Sequence, residues 1–266
     1  MGNDELRKLQ LVILEMMVEV DRLCRAHDIA YSLIGGSLLG AVRHGGFIPW
    51  DDDADIGMTR AEYERFRAVC SAELDHERFF FQDHTTDPHY RWGYGKLRRK
   101  NSEFLREGQA HMKMQTGIFL DIFVADNVPD GGVARRLHKA YCYGLRKILY
   151  AEVGMVGAKN WFLRRWYRML YAIPVGFVFR RLDALAKKCN KRGVALVRAY
   201  TFPTPKGEYG HPSRYYKRLA PVVFEGHEFS AFAEYDEYLS YKYGDYMTLP
   251  PENKRFWHPA SVIRLP

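Results

Sequence analysis

The chain opens on a helical pattern. Leu6, Leu9, Ile13, Met16, Val20 and Leu23 recur every three or four residues, with Cys24 beside them, and lay one apolar stripe along a helix. Asn3 or Asp4 caps it, and it runs to about His27. Short apolar runs then read as strands over 30–34, about 53–58, 79–82, 93–97 and 118–124. Between the first two, a Gly35-Gly36-Ser37 turn opens a short helix over 38–43, and a loop at 44–50 carries two glycines and a proline. Residues 60–72 read as a helix. Pro129 to Gly132 is a cluster of chain breakers and a boundary between structural units. Beyond it, 133–152 and 161–190 read as mostly helical, with a break near Pro174. A Gly-, Pro- and Tyr-rich loop spans 201–216, a strand 222–225 and a short helix 231–243. This order divides the chain into a catalytic core over 1–130, a helical subdomain over 131–218 and a C-terminal segment, 219–266, that packs back on the core.

Charge sharpens that division. The 266 residues carry a net charge of +8, which hides an asymmetry. Residues 131–218 hold 20 Lys and Arg against 3 acids, a balance of +17, and the rest holds 20 against 29, a balance of −9. A basic block of this kind suits an anionic partner, such as a phospholipid surface, a phosphate-rich glycan or nucleic acid; a solvated basic face with no partner is the alternative. Within it, 159–188 interleaves Trp161, Phe162, Trp166, Tyr167, Tyr171, Phe177 and Phe179 with five arginines. That mixture fits an anionic membrane surface, or equally a helical lid with its aromatics turned inward. Cys24, Cys70, Cys142 and Cys189 lack zinc-ligand spacing and read as reduced thiols. The longest apolar run has 11 residues, too few to span a bilayer, and the first ten residues lack a secretory layout. The expected location is cytoplasmic, with peripheral contact at the inner face of the cell membrane.

The chemistry concentrates in IGGSLLGAVRHGGFIPWDDDADIGM. Four of the five residues from Asp51 to Asp55 are aspartates, about 17 residues after the glycine turn. Glycine lets a backbone approach a phosphate closely, and the following helix offers free N–H groups; Gly36 and the Ser37 hydroxyl are the expected phosphate donors. In a strand, Asp53 and Asp55 share a face, a spacing that brackets a hard divalent ion such as Mg²⁺ or Mn²⁺. Asp51 is in the same phase at the strand's start, and Asp52 points the other way. Asp121, in the apolar run GIFLDIFVAD, is costly to bury unless paired or bound to metal, and is taken as the third acid, either ligand or general base. Lys96 and Arg98, on one strand face, are the expected phosphate-neutralising cations, with Arg43 and His44 as further candidates.

The run GGSLLGAVRHGGFIPWDDDADIGM closely resembles the signature of the LicD-type transferases, which include bacterial choline-phosphate transferases and the fukutin-related proteins. LDIFVAD and YKYGDYMTLPP look like further family features in the usual order. The resemblance covers both ends of the chain and leaves out the basic middle. It implies an α+β fold with a nucleotidyltransferase-like mixed sheet flanked by helices, carrying the basic helical part as an insert. It maps the family's metal ligands to Asp53 and Asp55 and a third acid to Asp121. It further implies transfer of phosphocholine or another substituted phosphate from a CDP-alcohol, with CDP-choline foremost, to a hydroxyl of a cell-envelope glycan such as lipopolysaccharide or teichoic acid, free or lipid-linked. Two other readings stay open: transfer of NMP to a protein, RNA or small molecule with the same acids, and a non-enzymatic module that binds lipid or nucleic acid through the basic tract.

Overall fold

A computed structural model describes residues 2–202, 209–255 and 260–266. Helix α1 (Asn3–Ala26) forms where the apolar stripe predicts it, burying Leu9, Ile13, Met16 and Leu23 completely. Deleting one such side chain to alanine costs about 2–5 kcal/mol. Next come β1 (Ser32–Leu33), α2 (Gly35–His44), β2 (Asp55–Thr59) and α3 (Arg60–Glu73). Thr59 starts α3, its hydroxyl accepting from the Glu62 amide. Strands β3 (Phe79–Gln82), β4 (Gly95–Arg99), β5 (Glu103–Arg106) and β6 (Phe119–Asn127) complete the first half.

The second half is helical at first: α4 (Gly132–Leu149), α5 (Ala151–Gly157), α6 (Trp161–Tyr171) and α7 (Val175–Asn190). Pro174 caps α7, as the break predicted there requires. The single helix expected over 133–152 divides at Tyr150. Strands β7 (Leu196–Arg198), β8 (His211–Pro212), β9 (Leu219–Phe224) and β10 (His227–Phe232) follow, then α8 (Tyr235–Tyr243) and β11 (Ala260–Arg264). The centre of the loop expected over 201–216, residues 203–208, lies outside the described residues. The helix expected from 231 begins only at 235. The residues before it pair with β9 on one side and β1 on the other, burying Phe229 and Ala231, so tertiary pairing overrides their local preference.

The main sheet runs β3-β4-β6-β2-β1-β10-β9 and mixes parallel and antiparallel pairs; β7 and β8 extend it from β6. β5 pairs with β11 in a separate ribbon. Helices α1 and α3 pack together on one face of the main sheet. The core they close draws on residues from Leu6 to Val124 and again from Tyr215 to Leu239. A second core joins Val128 and Tyr200 to α4 and α7. All four cysteines are buried, unbridged thiols. Among the described residues no helix is long and apolar enough to cross a membrane.

Candidate active site

Two strand pairings build the centre. β2 and β6 run parallel in a register that sets Asp55 beside Asp121. β4 runs antiparallel to β6 and sets Lys96 opposite Asp121. The Lys96 ammonium forms an ion pair with Asp121, both side chains being buried. Burial pushes Lys96 down to about 7 against the pull of Asp121.

The start of α2 meets this centre from β1. Gly35 has φ +60, a conformation that favours glycine, and its amide donates to the Tyr238 hydroxyl at 3.2 Å. A Cβ there would lie 2.9 Å from Asp55 Oδ2 and 3.1 Å from Lys242 Nζ. A Cβ at Gly36 would lie 2.7 Å from Asp51 Oδ2. The carboxylates of Asp51 and Asp55 therefore stand over the first turn of α2, where unsatisfied N–H groups and the helix dipole favour negative charge. The Ser37 hydroxyl accepts the Asp55 amide at 2.7 Å and ties α2 to β2.

The acidic segment itself is not strand. β2 begins at Asp55, so Asp53 precedes it and does not share a pleat face with Asp55. The correction extends to Asp52, expected to point away. Asp51, Asp52 and Asp53 each offer a carboxylate oxygen to one cluster, all within 4.8 Å of one another. Gln10 of α1 holds this segment, donating to the Asp51 carbonyl at 2.9 Å. Asp53 Oδ2 accepts from Arg106 of β5 at 3.2 Å. Asp55 carries the electrostatic burden: burial, then Asp53, Asp121 and Asp51 push its carboxyl well above the usual range, with Lys242 opposing them.

The other predicted cations divide. Arg98 lies near Lys96 but is engaged structurally, donating to Gln82 Oε1 at 2.7 Å and the Gly117 carbonyl at 2.6 Å. Arg43 and His44 sit at the far end of α2, roughly 10 Å of helix rise beyond Gly36. The Arg43 guanidinium donates to the Tyr246 carbonyl at 2.7 Å, and His44 is exposed, edge-on to Trp50. The structure therefore does not bring these two to the carboxylates, because α2 points its other end at them.

Two cavities flank the centre. The larger, about 470 Å³, is lined by six cations (Arg91, Lys96, Arg98, Arg106, Arg146, Lys147), by aromatics including Trp92, Tyr94 and Phe119, and, among the described residues, by no acid. Arg106 Nε and Thr201 Oγ1 are buried in residues that line it and have no hydrogen-bond partner among the described residues. The smaller, about 130 Å³, includes Asp55, Lys242, His211 and Tyr238. Phe202 lines both and packs on Phe123 at 4.9 Å between ring centroids.

Residues 28–130 match the family model described as LicD/FKTN/FKRP, nucleotidyltransferase domain. That stretch is similar to the LicD-type family. The chain is 29% identical to the lipopolysaccharide cholinephosphotransferase LicD of Haemophilus influenzae, over 95% of this chain and 95% of that protein. A shorter stretch of 58 residues is 61% identical to the human and mouse ribitol 5-phosphate transferase FKRP, covering 21% of this chain and 12% of each relative. The sequence reading passed over Lys242, Arg106 and Thr201, and took Gly35 only as part of the phosphate-approaching turn. Lys242 lies in YKYGDYMTLPP, a segment whose family likeness was the one available signal. Arg106 offered none, since β5 reaches Asp53 only through the folded arrangement.

Proposed function

We propose that this protein transfers a substituted phosphate, phosphocholine foremost, from a CDP-activated alcohol to a hydroxyl of a cell-envelope glycan. The observation that carries the reading is the juxtaposition of Asp55, pressed by three other acids, with an adjoining cavity whose charged lining residues, among those described, are all cations. The relatives' names support the reaction class: one transfers choline phosphate to lipopolysaccharide, the other ribitol 5-phosphate.

The donor set is all oxygen and over-rich in negative charge, which suits Mg²⁺ or Mn²⁺. Asp53 and Asp55, with Asp51 beside Gly36 and Asp121 across the β2–β6 pair, would hold the ion. When bound, it supplies charge neutralisation at the diphosphate and the departing CMP. The chain's own residues do the rest. The cationic cavity seats the diphosphate, with Arg106 Nε and Thr201 Oγ1 as donors awaiting an acceptor. The aromatic wall of Tyr94, Phe123 and Phe202 offers ring faces and excludes water. Asp121, hydrogen-bonded by Lys96 and outside the Asp51–Asp53 cluster, receives the proton of the acceptor hydroxyl. The O–P bond to the glycan forms as the bond to CMP breaks.

The test is incubation with a panel of CDP-alcohols, Mg²⁺ and candidate glycans, reading CMP release and product mass. CMP release that depends on a glycan, with loss in Asp55→Asn and Asp121→Asn, is the expected result. A product heavier by NMP would instead establish nucleotidyl transfer, and no reaction with any CDP-alcohol would remove the proposal.

A further inference from the structure

We propose that α6 is a docking surface for an anionic phospholipid bilayer. The helix carries two apolar faces, and only one is used inside the molecule. Its inner face packs Tyr167 against Gly154 and, at 6.3 Å between ring centroids, Tyr150, with Leu170 partly buried beside them. Its outer face presents Trp161, Phe162, Trp166 and Met169, which are 62%, 67%, 53% and 62% exposed. At 100° per residue these four fall within an arc of about 140°, away from Tyr167. Trp161 and Phe162 stack at 3.7 Å between centroids, so part of this surface is pre-arranged in solvent. An exposed apolar patch of this size marks a contact surface.

Charge selects the occupant. Arg164, Arg165 and Arg168 stand exposed on the same helix. Across residues 132–190 there are 13 Lys and Arg against Glu152 and Asp183 alone. A second copy of this surface would bring like charges together, which opposes self-association. A bilayer rich in anionic headgroups accepts tryptophans at its interface and arginines at its phosphates. Eleven residues rise about 16 Å, half the hydrocarbon thickness, so α6 lies in the interface plane and does not span it.

The location has a consequence for the active site. Tyr171, at the end of α6, lies under the Arg91 guanidinium at 4.7 Å, and Arg91 lines the larger cavity. Docking through α6 brings the rim of that cavity to the headgroup layer, where a lipid-carried acceptor would present its hydroxyl. That consequence rests on the function proposed above; the docking surface itself does not.

The experiment is flotation of the full chain with phosphatidylcholine vesicles, pure or containing about one-third phosphatidylglycerol, at low and high salt. The expected result is binding to the anionic vesicles at least tenfold tighter than to neutral ones, weakened by salt. Trp161→Ser, Phe162→Ser, Trp166→Ser and Met169→Ser together should abolish it. Replacing the three arginines by glutamine should weaken it about fivefold each. Both variants should keep wild-type circular dichroism, since every changed side chain is exposed. No flotation at low salt overturns the proposal. So does wild-type flotation by the quadruple variant, or a dimer seen by light scattering that this variant dissolves while vesicles bind neither protein. Flotation without CMP release from any CDP-alcohol would leave the docking surface standing and remove the function.

Discussion

Replacing Asp55 by asparagine should stabilise the ion-free protein while abolishing transfer. Asp55 and Asp121 are register partners on parallel strands, about 4.8 Å apart. At an effective dielectric near 20, two unit charges at that spacing repel by about 3.5 kcal/mol. Asp53 and Asp51 add to this, and the attraction of Lys242 offsets much of it. A net relief of about 2 kcal/mol is expected, which raises Tm by roughly 4–8 °C in a chain of this size. The pH dependence gives an independent check. The folded-state pKa of Asp55 lies well above its ordinary 3.8. Within that window the folded state keeps a proton that the unfolded chain has released, so wild-type stability falls as pH rises through it. The variant lacks this loss, and the Tm gap should open as pH rises above about 4. Scanning calorimetry with and without Mn²⁺ completes the assay: the ion should stabilise wild type and leave the variant nearly unmoved. A lower Tm in the variant, or equal stabilisation of both by Mn²⁺, would refute the reasoning.

Arg106→Gln should raise KM for the CDP donor at least tenfold with little change in Tm, because its ion pair with Asp53 is partly solvated and worth about 1 kcal/mol or less; an unchanged KM would remove the cationic cavity as the donor's seat. Gly35→Ala should cost about 1–2 kcal/mol from the left-handed backbone alone. It should also lower activity more than tenfold as the new Cβ displaces Asp55, and a fully active variant would contradict the packing described. Burial pushes the rings of His138 and His211 down to about 4, below their unfolded 6.5. Between those values the unfolded chain binds protons that the folded one does not. Stability is therefore full above pH 6.5 and lost on acidification, by up to about 1.4 kcal/mol per pH unit for each ring. Urea midpoints measured from pH 7.5 to 4.5 would show that contribution as the difference in slope between wild type and H138Q/H211Q, which shares every other titrating group; a slope unchanged in that double variant would refute it.

The local half of the structure is legible in the sequence, and the non-local half is not. The α1 stripe needs only helical periodicity, and Asp121 betrays itself by standing charged in a run of apolar residues. β10 reads differently. Its last two residues, 231–232, read as the start of a helix until β1, from far earlier in the chain, is known to lie beside them. The acidic segment misleads for the same reason. Alternation predicts a strand from Asp53, but the β2–β6 ladder begins only at Asp55, and the preceding acids are gathered by Gln10 and Arg106 from other elements. Arg43 and His44 drew notice because they lie between the two halves of the motif. A helix separates what it connects, and α2 carries them away from the site.

The cations of the site come from separate elements, and each answers a different acid: Lys96 of β4 meets Asp121, Arg106 of β5 meets Asp53, and Lys242 of α8 faces Asp55. That arrangement predicts coupling within pairs. Lys242→Met alone removes a cation that opposes three acids at Asp55 and leaves a buried charge poorly compensated, at a cost of about 3 kcal/mol. In the Asp55→Asn background the charge is gone, and the same change should cost about 1 kcal/mol, the packing of the aliphatic stem. The difference, a coupling of about 2 kcal/mol, is measurable by urea unfolding of the four proteins in the cycle. The corresponding cycle between Lys242 and Asp121 should give less, because Asp121 retains Lys96. If both cycles are additive to within about 0.5 kcal/mol, the acids do not feel these cations individually and the account of Asp55 fails.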